Sequence, residues 1–562
     1  MTERPPTTPR VRRTPVPSLR QALRLAGPAD IWHKSAVSTT VAVTLLNLTL
    51  LALGRLDLAL FTSAGALCAL YCHGLPYPAR ARTLAGVAVG TLLSTAFALT
   101  AASLTHSVAA LVAVSAVLAA LHKLGCDAAR VGSPGAITMT FTSTGCVFVP
   151  QHLGDLPAHL ALAALGAALA WLVCMAPALI RPFGPERVLT ARTLEAAARL
   201  LTSEPDRHPA ARTALAATLN AAHHTLSLDS TAAAEPRRQA MAGLERLLVR
   251  AESALASLPA HPDADTAARY QDWARALRRN RPLPVVDLTP AEAAELRGAA
   301  AETTTAADQT SRRHALHRDS PLLPIGLRIM LGCAAAGWTS MALGVGRPGW
   351  AVITAAAVFQ ASTALSWQRA IQRVLGTLLG LLVFTALLPV ARSGQLALVL
   401  VMLPVMLAAE ATFARNYWLG AAFLTPLVLL MTDLARYQPA RPLLADRWLD
   451  TCLGALTGLA ACLLVTNRRT ATRLDRALAA LLAATEAARP AASHPPAAAA
   501  AARVRLSRAL VELREAADIA SGEWWQRALP RIRIAEAEQE GHRQLAALLD
   551  HRAGHEPALA RP

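Results

Sequence analysis

Aromatic side chains supply only 4% of this 562-residue chain and charged ones 16%, while hydrophobic residues supply 54%. Soluble domains of average make-up carry about 25% charged residues, so the shortfall excludes one soluble globular core as the whole answer. At a mean hydropathy of +0.35, part of the apolar surface needs lipid as its solvent. Cysteine is scarce too. The eight cysteines, at 68, 72, 126, 146, 174, 333, 452 and 462, lie in or beside apolar runs and lack the spacing of a zinc site or a secreted disulfide framework. They read as small packing residues. A GxxxxGK[ST] loop and an HExxH helix are both missing, and His122 and His152 stand isolated, so neither phosphate-cradle nor zinc-hydrolase chemistry is indicated. No enzyme activity, cofactor or metal is expected.

Acidic residues are in deficit, which leaves a net charge of +18 and a pI near 10.8. Clustered Lys and Arg are the usual footprint of phosphate binding, but here they collect beside apolar spans and no groove-reading element accompanies them. The lipid bilayer, not nucleic acid, is the expected partner. The first 34 residues are rich in Pro and Arg and contain no apolar run ending in a small-residue cleavage site. They read as a cytosolic arm.

What the chain does have is long apolar windows. A helix of about 20 apolar residues crosses roughly 30 Å of hydrocarbon, and six windows of near that length fall around 36–53, 58–74, 83–103, 106–122, 134–150 and 157–178. Six more fall around 325–343, 349–366, 371–390, 395–412, 417–432 and 448–466. The expected fold is therefore all-α and polytopic, with two six-helix transmembrane blocks. The arm 1–34 holds seven basic residues against two acidic, and Arg80/Arg82 and Lys123/Arg130 alternate with turns that carry none. By the positive-inside rule both termini and the middle segment face the cytoplasm. Arg369/Arg373, Arg415 and Arg468/Arg469 agree; Arg436, Arg441 and Arg447 would lie outside.

Short matches recur between the blocks in one order: Gly86-xxx-Gly90 with Gly376-xxx-Gly380, Pro134-Gly135-Ala136 with Leu419-Gly420-Ala421, and Leu165-Gly166-Ala167 with Leu453-Gly454-Ala455. With an even number of spans per block this makes a parallel repeat, related by an axis along the membrane normal. Residues 186–320 switch to Ala, Leu, Arg and Glu at heptad-like spacing, as in MAGLERLLVRAESALASL, and 470–552 do likewise. Both are expected to be cytosolic helical hairpins that pack on one another. The layout is 1–34 arm, 35–180 first block, 181–320 helical domain, 321–467 second block and 468–562 C-terminal helical region.

The second block carries Gly349-Trp350, then Arg369-xxx-Arg373-xx-Gly376-Thr377-xx-Gly380, then Asn416-Tyr417 and Thr425-Pro426, then Arg447-xx-Asp450-Thr451-xx-Gly454. In order and spacing these resemble the fusaric acid resistance (FUSC-like), or aromatic acid exporter, family, to which plant aluminium-activated malate channels are distantly similar. The first block resembles a degenerate copy: Arg80 and Arg82 stand near the hinge, Gly90-Thr91 is out of register, and no tryptophan matches Trp350. The resemblance implies proton-driven efflux of aromatic or other organic acids, or anion conduction.

Individual residues are read as follows. Glycines four apart let a neighbouring helix approach closely, so Gly376 and Gly380, with Thr377 between them, and Gly86 and Gly90 are expected at helix contacts. Arg369 and Arg373 share a helix face, either as topology anchors or as a cationic entrance suited to carboxylates. Glu410 lies inside an apolar span, where an acid is a functional hypothesis by default. It either pairs with Arg415 or exchanges a coupling proton. Asn416 and Asp450 join the substrate or coupling candidates, Asp450 as the weaker because of its expected place near the outer face beside Arg447. Thr425-Pro426 and the Ser/Thr/Gly-rich SPGAITMTFTSTG of the first block interrupt corresponding spans, which points to a midplane site or to ordinary kinking. The reading is a plasma-membrane secondary exporter of small organic anions, aromatic acids among the candidates, with proton coupling implied by the resemblance. An anion channel and a non-transporting membrane scaffold or sensor are the alternatives, and assembly into homo-oligomers is left open.

Overall fold

The structure, a computed structural model, describes residues 19–25, 31–129, 131–204, 207–227, 235–256, 263–286, 322–435, 439–465, 469–491, 496–523 and 530–553. Most of the basic arm, Arg130, Arg436, Arg468 and residues 287–321 lie outside the described residues. Every regular element described is helical. In the first half these are α1 (Leu19–Leu23), α2 (Trp32–Ala52), α3 (Ala59–Ala66), α4 (Tyr77–Leu104), α5 (Val108–Ala128), α6 (Ala136–Val147) and α7 (Leu156–Met175). The middle segment forms α8 (Gly184–Leu201), α9 (His208–Ser227), α10 (Glu235–Ala256) and α11 (Ala264–Arg278). The second half forms α12 (Leu322–Ala342), α13 (Pro348–Val358), α14 (Thr363–Ala391), α15 (Gln395–Phe413), α16 (Tyr417–Ala435) and α17 (Ala440–Leu464). After these come α18 (Arg469–Ala491), α19 (Pro496–Ser521) and α20 (Arg531–Ala553).

Eight helices among the described residues are long and apolar enough to cross a membrane, where the sequence suggested twelve full spans. Three of the other expected windows form shorter helices, and the fourth forms α16, 19 residues long. Residues 56–70 are an eight-residue α-helix bracketed by 3₁₀ turns, α6 has 12 residues and α13 has 11. Burial gives the reason. All but one residue of α3, and nearly all of α13, are buried by neighbouring helices, so irregular backbone at their ends meets protein rather than lipid. The long helices instead expose large apolar side chains on one side, among them Leu93 and Phe97 on α4 and Leu382 on α14.

The same kinds of pairing recur in both halves. In the first, α3 packs on α7, α4 on α6 and α7, and α5 on α6; in the second, α13 packs on α17, α14 on α16 and α17, and α15 on α16. Across the halves, α2 meets α15 and α12 meets α5. Backbone approach is closest where glycines permit it. A Cβ on Gly376 would overlap the Trp418 carbonyl and come within 2.6 Å of Ala421 Cβ, and one on Gly380 would come within 2.6 Å of Thr425 Cβ. Gly65 and Gly166 likewise seat α3 against α7, and Gly454 seats α17 against Ala351 of α13. The close approach expected at Gly86 does not occur. No atom stands within 4 Å of a Cβ there, and at Gly90 only Met139 Cε comes near, at 3.9 Å. Gly86 lies on the exposed side of α4 and Gly90 at the edge of its contact with α6, so neither faces a neighbouring backbone.

The amphipathic helices α8–α11 and α18–α20 share one core, with Leu194, Leu215, Leu244, Leu247, Leu481, Leu506 and Leu513 all buried. This helical body is joined to the apolar helices by specific bonds. Thr363 Oγ1 donates to Glu523 Oε2 at 3.0 Å, Ala364 N–H donates to the Gly522 carbonyl at 2.9 Å, and Arg328 lies 3.8 Å from Glu523. All eight cysteines are free.

Gly376→Ala is expected to cost about 1–3 kcal/mol by overpacking, whereas Gly86→Ala should be neutral or slightly stabilising because alanine favours helix. Chemical unfolding of the purified chain in detergent compares the two, and equal losses would refute the difference. In the helical body, burial first and the nearby Arg212 second push His542 down from 6.5 to about 4. The unfolded chain therefore binds more protons between those values. Stability present above pH 6.5 should fall as the pH drops toward 4. Hydrogen exchange over 531–553 should report that loss, and His542→Gln should flatten it.

Candidate functional site

On α17, Arg447, Asp450, Thr451, Gly454 and Gly458 fall three and four residues apart and form one buried face. Gly454 has no side chain to hold off α13, so the α13 backbone comes close and carries Trp350 against Arg447. The guanidinium carbon of Arg447 lies 5.1 Å from the centre of the Trp350 ring, and that of Arg347 lies 5.0 Å from the same ring. Both distances suit cation–π attraction. Arg447 is 1% exposed, yet its Nε has no hydrogen-bond partner.

Arg373 on α14 is 2% exposed and its Nε is equally unpartnered. It lies within electrostatic reach of Arg447, as does Asp450. Asp450 is fully buried. One carboxylate oxygen accepts a 2.5 Å hydrogen bond from Ser340 Oγ, and the other, Oδ2, accepts none. Thr377 Oγ1, also fully buried, has no partner. Buried polar groups in folded proteins are nearly always hydrogen-bonded to protein or to something bound. Here α14 and α17 pack together and bring four unfilled groups, two of them guanidinium Nε–H donors, into one region.

The remaining sequence candidates are placed differently. Arg369, one turn below Arg373, stacks on Tyr417 at 3.9 Å and donates to Gln360 Oε1 at 3.4 Å. Asn416 bonds to Gln372 and to backbone carbonyls of Ala22 and Arg24. Thr425 donates to the Ala421 carbonyl of its own helix at 2.9 Å and is packed by Gly380, so its hydroxyl is already used. Glu410 is half-buried on α15, which packs on α2 and α16, and no ion pair joins it to Arg415 among the described residues. Asp450 is fully enclosed and not at an exposed outer edge. Arg447, read from sequence as an outer-loop charge, is buried with it.

The first half holds a counterpart that sequence reading missed. His159 stands as far before Gly166 as Arg447 stands before Gly454, and Phe61 precedes the Gly166 contact at Thr62 as Trp350 precedes the Gly454 contact at Ala351. The His159 and Phe61 rings stack, with centroids 3.8 Å apart and planes within 9°. Extending the Leu165-Gly166-Ala167 match by two helical turns would have found it. Arg80 plays a different part. Its guanidinium donates to the carbonyls of Cys72 at 3.0 Å, His73 at 2.6 Å, Leu75 at 3.2 Å and Cys174 at 3.2 Å. It clamps the turn after α3 to the end of α7. Nearby, a cavity of about 600 Å³ is lined by Lys34, His73, Arg80, Arg181 and Arg187, with no carboxylate among its lining residues.

Apolar helices of this length, flanking a buried arginine cluster, make the chain a polytopic membrane protein. Residues 333–461 match the family model described as fusaric acid resistance protein-like. The chain is 31% identical over 165 residues to the uncharacterized membrane protein YvaC of Bacillus subtilis (strain 168), covering 29% of this chain and 26% of that one. It is 31% identical over 147 residues to the uncharacterized protein slr1298 of Synechocystis, covering 25% and 19%. The chain thus spans about a quarter or less of the length of these curated relatives. No solved structure matches it.

Trp350→Leu removes the ring from both guanidiniums and is expected to cost about 1–3 kcal/mol, while Trp350→Phe keeps a ring face and should lose less. Thermal unfolding in detergent checks this, and identical losses would exclude the cation–π contribution.

Proposed function

We propose that this chain is a plasma-membrane secondary transporter that exports organic anions, aromatic carboxylates among them, with both termini in the cytoplasm. The observation that carries the reading is the pair of buried, unfilled guanidinium donors at Arg373 and Arg447 beside the Trp350 ring. A carboxylate supplies acceptors in the planar arrangement that guanidinium groups bind best. An aromatic substrate adds a ring to the existing stack. The two halves act as repeats related by an axis along the membrane normal, a reading supported by the recurring pairings α3–α7 with α13–α17 and α4–α6 with α14–α16. The second half binds the anion, since its cation at Arg447 is replaced by His159 in the first.

Two acids are candidates for proton linkage. Ionised Asp450 competes with a substrate carboxylate for Arg447, so removing its charge should favour anion binding. Glu410, without a cationic partner at Arg415, is the other exchangeable site.

Binding of labelled benzoate to the purified chain and its flux into inverted vesicles, with and without a pH gradient, test the reading. Arg447→Gln is expected to weaken binding at least tenfold, and Asp450→Asn to tighten it severalfold at neutral pH while keeping the bond from Ser340. Gradient-dependent accumulation lost in Glu410→Gln would place the coupling proton there. Passive flux indifferent to the gradient would mark a channel instead. Absence of binding across a panel of organic anions would overturn the proposal.

A further inference from the structure

The segment before the first long helix lies on the donors below the arginine cluster. Gln372 Nε2 donates to the Ala22 carbonyl at 2.7 Å, Asn416 Nδ2 donates to the carbonyls of Ala22 at 3.2 Å and Arg24 at 2.8 Å, and Trp418 Nε1 donates to the Leu23 carbonyl at 3.3 Å. Three side chains from the second half thus hold three successive carbonyls at the end of α1. Ala22 is completely buried in this contact. Gln372 is the neighbour of Arg373 in sequence, and Asn416 and Trp418 flank the Tyr417 ring on which Arg369 stacks.

We propose that α1 is a displaceable plug in the cytoplasmic mouth of the anion site, its carbonyl oxygens occupying the donors that an incoming carboxylate would otherwise meet. The inference rests on the transport reading for its consequence, but the docking itself does not. Carbonyls at a helix end are unsatisfied within the helix and carry its partial negative charge. They bring that partial negative charge to Gln372 and Asn416, beside Arg373 and the Tyr417 ring on which Arg369 stacks. A helix of five residues is too short to persist by itself, so α1 holds its form only while docked. A ligand that takes the Gln372, Asn416 and Trp418 donors removes the reason for it to fold there.

Trypsin provides the readout, because the carbonyl at the Arg24–Leu25 bond is the one Asn416 holds. In the full chain in detergent, cleavage after Arg24, quantified by mass spectrometry, should be at least tenfold slower than in Ala22→Trp, which has no room to dock yet keeps every basic residue of the arm. Trp418→Phe, lacking one donor, should fall between them. Millimolar benzoate should raise cleavage of the wild type toward the Ala22→Trp rate and leave that variant unchanged. Equal rates in wild type and Ala22→Trp would overturn the plug. Protection that benzoate does not relieve would overturn the claim that α1 stands in for a carboxylate. If the plug is released as expected but neither chain moves benzoate across vesicles, the plug stands and the transport reading fails; faster flux in Ala22→Trp supports both.

Discussion

Placing a guanidinium among apolar helices costs several kcal/mol unless its charge and donors are met, and the buried arginines here meet that demand in different ways. Arg80 is surrounded by four carbonyls and is structurally committed. Arg447 has the face of Trp350 and the charge of Asp450 nearby, but its Nε is left open. Arg373 is open as well. The first arginine stabilises a turn, while the other two keep unmet binding capacity.

The open pair depends on small residues elsewhere. Gly454 lets α13 reach α17, which delivers Trp350, and Gly376 and Gly380 let α14 lie against α16, which fixes the height of Arg373. Lipid gives no hydrophobic drive between helices, so such close van der Waals contact is what holds spans together. A methyl group at Gly454 would separate the ring from the cation before it touched the site itself.

The helical body is tied to the same elements. Glu523 and Gly522 grip the start of α14, two to three turns below Arg373, and Glu523 also faces Arg328 on α12. The body is thus bonded directly to the helix that carries Arg369, Gln372 and Arg373. The α1 contact falls on that same stretch, so three parts of the chain converge there.

The sequence by itself determined the membrane class, the helical content, the approximate positions of the apolar helices and the second-half motif, because apolar periodicity and glycine spacing are local properties written along the chain. It also singled out Arg373 and Asp450. It could not tell that three apolar windows make short helices, since that depends on neighbours shielding α3 and α13 from lipid. Nor could it separate Arg80 from Arg447, or Gly86 from Gly376, because each pair looks alike until partners are known. The pairing of Phe61 with His159, the burial of Arg447 and the docking of Ala22 on Gln372 and Asn416 were decided by tertiary structure alone. Each is a contact between residues far apart in the chain, and spacing along a sequence carries no record of what lies across a helix interface.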